Sequence, residues 1–202
     1  EIKSLESGFY FPPSHGNRYA NTSITSNPKR WVGDPGQRAR YLQDRDMPIV
    51  ANPNHRSAKQ IIQVIEYFNV EDPDNGRYAP QLSETYCNIF ARDVMFALRA
   101  PLPHWENTKE LEANDMFTWL SNSHNGWKSI NSDQAAQNAS SGLPVLASWK
   151  NPNGIGHIAV VRPSEDNSSD VRIAQAGGRN FSNGSIGDGF GNREVSYFVY
   201  TG

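Results

Sequence analysis

From Ser57 to about residue 142 apolar residues recur at helical spacing, and beyond it they come in short runs of strand length. That change of period puts helices first and strands last with short connections, which predicts an α+β domain built on an antiparallel sheet. SAKQIIQVIEYFNV opens at Ser57, a residue suited to an N-cap, and repeats Ile61, Val64, Ile65 and Phe68 along one face. CNIFARDVMFALRA predicts a second helix with Phe90, Val94 and Leu98 together, ended by the prolines of PLP because proline cannot continue the ladder. TKELEANDMFTWLSN predicts a third helix, and SDQAAQNASSG a short fourth one stopped by Gly142. LPVLASWK and GHIAVVRP, separated by NPNGI, predict a β-hairpin, and VRIAQAG and REVSYFVYTG two further strands.

Residues 1–56 keep no sustained period and are dominated by turn signals such as GFYFPPSHGNRY and NPKRWVGDPGQR. Their aromatics (Phe9, Tyr10, Phe11, Tyr19, Trp31 and Tyr41) are too many for a linker, so an irregular arm packed on a main domain of residues 57–202 is expected. The chain has 202 residues with 37% hydrophobic side chains, enough for one domain with a buried core. Its 19 basic and 21 acidic residues leave a formal charge of −2, so no nucleic-acid partner is expected. No apolar run is long enough to span a membrane.

A single cysteine rules out any intrachain disulfide. The sequence starts at Glu1 and carries no basic-then-apolar leader, which fits a mature, exported form, so a secreted or periplasmic bacterial or phage protein is expected. A lone cysteine is more often a small buried hydrophobe than a nucleophile. Cys87, however, stands where the loop LSETY runs into the second helix. Unpaired N–H groups and the positive end of the macrodipole favour a thiolate there.

Of the five histidines, His157 alone begins an apolar run, after Gly154 and Gly156, where a strand end can hold its ring towards a cleft. His15, His55, His104 and His124 lie in Pro-, Asn- or Gly-rich contexts and read as surface residues, with no pair at metal-ligand spacing. A Cys–His pair needs a third polar group to orient the imidazole. Gln175 on the next predicted strand can accept the Nδ1 proton through its amide oxygen, with Asn180 and Asn183 as alternatives. A buried strand glutamine equally serves to satisfy backbone groups.

A cysteine opening a helix (TYCNIFARDV), a Gly-His at a strand start (GLPVLASWKNPNGIGHIAVVRP) and a polar residue on the next strand resemble the NlpC/P60 and CHAP group of papain-like peptidoglycan hydrolases. The likeness covers about residues 75–202. It implies a papain-like fold and a thioester mechanism without cofactor or metal, acting on an amide of bacterial peptidoglycan. The bond would be one within a stem peptide (endopeptidase) or between muramic acid and L-alanine (amidase). It also implies an oxyanion role for Tyr78, which stands a short distance before the cysteine, with Tyr86 as the rival. The chain departs from the NlpC/P60 pattern in carrying Tyr86-Cys87-Asn88 in place of Asp-Cys-Ser-Gly.

Two other functions compete: a Cys–His–Gln deamidase or acyl-transfer effector acting on a protein, and a non-catalytic cell-wall binding module with an inert Cys87. No inhibitor or delivery partner is legible. EDPDNGRY fails the spacing of a calcium loop and reads as a turn built on Asx hydrogen bonds. AGGRNFSNGSIGDGFG matches neither a P-loop nor a dinucleotide fingerprint and is expected to be a mobile loop bordering the cleft.

Overall fold

The computed structural model describes residues 48–202 apart from Asn167, together with the backbone of Phe9–Tyr10. The rest of the expected arm over 1–56, with His15, lies outside the described residues. Strand β1 (Phe9–Tyr10) pairs antiparallel with β2 (Ile49–Val50).

Helix α1 (Ala58–Tyr67) begins at Ser57 through a reciprocal capping box. Gln60 N–H donates to Ser57 Oγ at 3.2 Å, and Ser57 N–H donates to Gln60 Oε1 at 3.0 Å. The acidic segment after it is a turn in which Asp74 N–H donates to Asp72 Oδ1 at 2.9 Å, as the Asx reading expects. Helix α2 (Cys87–Ala97) ends before the prolines can act. Arg99 takes a left-handed conformation (φ 57°) and Ala100 N–H donates to Met95 O at 2.9 Å, a Schellman-type stop two residues ahead of Pro101.

The third helix is shorter than its apolar pattern predicts. Lys109 and Glu110, expected in its first turn, form instead β4 (Lys109–Glu110), which pairs with β3 (Trp105–Glu106) in a small hairpin turned at Asn107 with φ 55°. Helix α3 (Ala113–Leu120) starts only where Asp115 can accept the Glu112 N–H, at 3.1 Å.

The remaining elements are β5 (Trp127–Ile130), α4 (Ser132–Ser140), β6 (Val145–Trp149), β7 (His157–Arg162), β8 (Arg172–Gln175), β9 (Phe181–Ser185), α5 (Ile186–Phe190) and β10 (Ser196–Tyr200). They build an antiparallel sheet in the order β5-β10-β6-β7-β8-β9. Strand β5 gives little sequence signal because it is an edge strand with Lys128 and Ser129 exposed.

The glycine-rich stretch expected as a mobile loop is ordered into β9 and α5. Ser185 and Asp188 form a capping box there, and a Cβ at Gly184 would collide with the Phe181 ring. Gly177, Gly184 and Gly189 therefore serve close packing.

Helices cover both faces of the sheet. On one face Ile61, Val64, Phe90, Val94 and Met116 from α1, α2 and α3 pack with Leu146, Ile158, Val160 and Ala174. On the other, Ala135 and Ala139 of α4 and Phe190 of α5 pack with Ala147, Ala159, Val161 and Ile173. Burial on both faces is why β7 reads as a continuous apolar run rather than an alternation. The molecule is thus α+β with a central antiparallel sheet, and the start of β7 lies at one end of that sheet. Among the described residues no helix is long and apolar enough to cross a membrane.

Candidate active site

Helix α2 differs from the other helices at its N-terminus. Helices α1, α4 and α5 have capping boxes, and α3 has the Asp115 acceptor. The N-cap of α2 is Tyr86, which makes no side-chain capping bond. The hydroxyl of Tyr86 instead donates to Glu84 Oε2 at 3.2 Å. The first-turn N–H groups of α2 are left without side-chain competitors just where Cys87 is the first helical residue. The backbone N–H groups of Asn88 and Ile158 reach the thiol, which is 5% exposed. Asn88 Nδ2 donates to Leu111 O at 3.0 Å and fixes this turn on the segment before α3.

The imidazole of His157, first residue of β7, is the hydrogen-bond partner of the Cys87 thiol. On its other side His157 Nε2 meets Gln175 Oε1 at 2.6 Å. The expected third residue is therefore the one the fold brings to the ring, but through Nε2 and not Nδ1. The register that sets Val160 opposite Ala174 leaves Gln175 diagonal to His157, so the outer ring nitrogen is the one that spans the gap.

Gln175 Nε2 donates to Arg179 O at 2.9 Å, which turns Oε1 towards the ring and assigns the proton to His157 Nε2. Nδ1 is left facing the thiol. The ring also rests on Phe190, with centroids 4.9 Å apart.

Burial alone would raise the Cys87 pKa, but the His157 hydrogen bond and charge, with the Ile158 and Asn88 N–H groups, hold it below the ordinary thiol range. Burial would lower His157, but the hydrogen bond and charge of Cys87 and the Gln175 oxygen raise it, against a smaller opposing effect of Arg193. Each partner favours the charged form of the other. The arrangement therefore suits a thiolate–imidazolium pair with a fixed ring, able to attack a carbonyl and return a proton.

Two asparagines hold the loops on either side of this pair, and neither role is legible in the sequence. Asn114 of α3 carries no local signal. Its Nδ2 donates to Asn151 O (2.9 Å) and Gly154 O (2.7 Å), and its Oδ1 accepts from Asn151 N–H (2.9 Å). It thereby grips the loop that delivers His157. A Cβ at Gly156 would strike the same Asn114 oxygen.

Asn180, an alternative orienting residue on sequence grounds, does not meet the ring. Its Nδ2 donates to Val70 O (3.1 Å) and Tyr78 O (2.9 Å), anchoring the loop that carries the Arg179 carbonyl. Asn183 Oδ1 accepts from Arg172 Nε at 2.9 Å. Glycines leave the space around Gln175: a Cβ at Gly177 would come within 2.8 Å of its Nε2, and one at Gly189 within 2.5 Å of its Oε1.

Tyr78 has a different partner from the one the resemblance implied. It is fully buried, and its hydroxyl donates to Asp93 Oδ2 at 2.6 Å. Arg77 Nε and an Arg77 Nη grip the same carboxylate at 2.6 and 3.0 Å. With its one proton committed to Asp93, Tyr78 has no donor left for an oxyanion. The Cys87 N–H, first of the helix, is the donor that remains.

His104, expected at the surface, is buried against Glu110 at 3.1 Å, while His55 and His124 are exposed. Among the described residues no group of three or more His, Cys, Asp or Glu side chains could hold a metal. A separate cleft of about 650 Å3 runs along the second half of α2, lined by residues that include Phe96, Trp105 and Trp119, but neither Cys87 nor His157 lines it. No protein-family model matches the chain, and no curated protein matches it.

Proposed function

We propose that the chain is a papain-like cysteine hydrolase that cleaves an amide bond of bacterial peptidoglycan outside the cytoplasm, by way of a thioester on Cys87. The observation that carries this reading is the alignment of Gln175, His157 and Cys87 at the uncapped start of α2. The Cys87 thiolate attacks the carbonyl carbon. The oxyanion forms beside the Cys87 N–H, a donor of a kind that contributes about 2.7–4 kcal/mol to the transition state. His157 Nδ1 gives its proton to the nitrogen as the C–N bond breaks, and the amine leaves. Water then attacks the thioester while Nδ1 takes its proton, and the carboxylic acid departs as the thiolate returns. Gln175 accepts from Nε2 throughout and keeps the ring in place.

Digestion of peptidoglycan by the wild type and by Cys87→Ala, with products read by mass spectrometry, tests this. Defined muropeptide fragments from the wild type alone are expected, and their new termini name the bond as endopeptidase or amidase. No fragments from walls of several types would overturn the substrate class. Ammonia release from a protein in the same assay would put the deamidase chemistry in its place.

A further inference from the structure

Arg193 stands beside the base in a way that the hydrolytic mechanism leaves unexplained. The register of the β6–β7 hairpin sets Trp149 directly opposite His157. The Arg193 guanidinium lies over the Trp149 indole, 4.7 Å from ring centroid to Cζ. Its Nη1 donates to Phe190 O at 2.9 Å, and Phe190 is the residue whose ring supports His157. The guanidinium is thus held by both neighbours of the imidazole, while the residue itself is exposed. Among the described residues it makes no ion pair with a carboxylate. Its charge opposes the imidazolium. A cation in that position weakens the resting ion pair, and an incoming anion would cancel the effect.

We propose that Arg193, seated on Trp149 beside His157, binds a carboxylate of the substrate, so that the amide cleaved is one whose released amine carries a carboxylate. This rests on the assignment of Cys87 as nucleophile and names the substrate class for it. The side follows from the mechanism: His157 hands its proton to the leaving nitrogen, so a group fixed next to His157 faces the departing amine and not the acyl part. The chemistry follows from the residue. A planar guanidinium pinned by stacking and by one donor keeps further N–H groups in a fixed fork, the geometry that carboxylates match.

Two alkylating reagents test the charge preference and need no identified substrate. Iodoacetate and iodoacetamide both transfer a two-carbon group to Cys87 Sγ with loss of iodide, and they differ in carrying a carboxylate or a neutral amide. The ratio of their rate constants cancels changes in thiolate fraction, which both reagents share. The iodoacetate-to-iodoacetamide ratio of the wild type is expected to fall about five- to tenfold in Arg193→Gln. It should be largely retained in Arg193→Lys, and should decline with added salt. Equal ratios in wild type and Arg193→Gln would overturn the proposal. Sluggish alkylation of the wild type by both reagents below the ordinary thiol pKa would instead remove Cys87 as nucleophile, and this inference with it.

Discussion

Helix α2 carries two buried acids, Cys87 in its first turn and Asp93 further along, and their surroundings differ in one decisive respect. The surroundings of both favour the charged form against the effect of burial. Asp93 is 0% exposed and receives the Arg77 fork and the Tyr78 hydroxyl, while burial and Asp93 together keep that phenol well above its usual pKa. Nothing in that shell can give up a proton near neutral pH, so the group ties segment 77–78 to α2 and does no chemistry. Cys87 has an imidazole as its partner, which the thiol and the Gln175 oxygen push above the ordinary histidine value against the effect of burial, and it sits at the helix end rather than inside it. A closed shell of fixed donors makes an anchor. An anion with an exchangeable proton opposite it suits the nucleophile proposed above.

Asp93→Ala should show the largest effect on the anchor side. Leaving the Arg77 guanidinium buried without its carboxylate is expected to cost about 3–5 kcal/mol of unfolding free energy, measured by urea titration. The protein that remains folded should keep the Cys87 alkylation profile of the wild type. A shift in that profile would mean that the two constellations are coupled and would break the contrast. The sign with pH follows from the lowered Asp93 carboxyl: its stabilisation is present above the ordinary carboxylate range and is lost as pH falls through the folded pKa.

Asn114→Ala acts on the other side with a smaller stability cost, about 1–3 kcal/mol for the hydrogen bonds to residues 151 and 154. Because that loop delivers His157, kcat should fall with KM little changed. Loss of stability with kcat intact would reduce Asn114 to a scaffold residue.

The smallest change is expected from Gln175→Ala, read through the pH dependence of Cys87 alkylation. The lowered Cys87 pKa extends thiolate availability below the ordinary thiol range, and reactivity is lost as pH falls through the folded pKa. The raised His157 pKa keeps the imidazolium charged above its usual value, and that contribution is lost as pH rises through it. Without the Gln175 oxygen the imidazolium is less favoured and the ring less fixed, so the acid limb should move towards the ordinary thiol range. An unmoved limb would assign Gln175 to backbone satisfaction alone.

The two constellations also differ in how far sequence could reveal them. Cys87 at a helix start, His157 at the head of an apolar run and Gln175 on the following strand are each placed by local pattern, because period and turn chemistry act over a few residues. The Arg77–Asp93–Tyr78 cluster carries no such mark. Asp93 occupies one position of an otherwise ordinary amphipathic helix, with its sequence neighbour Arg92 at 3.6 Å, and only the packing of the preceding loop on α2 brings the Arg77 fork to it. Tyr78 shows the hazard directly, since the family resemblance implied an oxyanion role for it while its hydroxyl donates to Asp93. Gly177, Gly184 and Gly189 mislead for a related reason. Glycine signals freedom locally, and the close approach of the Phe181 ring and the Gln175 amide that calls for it is visible only in three dimensions.

Sequence by itself determined the α+β order, the helix start at Ser57, the sheet-forming character of β6, β7, β8 and β10, and the candidate pair Cys87 and His157, while leaving Gln175, Asn180 and Asn183 open as the third residue. All of these follow from short-range periodicity and capping chemistry. Tertiary structure alone decided which imidazole nitrogen faces the thiol, which asparagines hold the loops, where Tyr78 spends its proton and why Arg193 stands by the base. Each of those depends on register and on side chains meeting across distant segments, and no local pattern encodes such meetings.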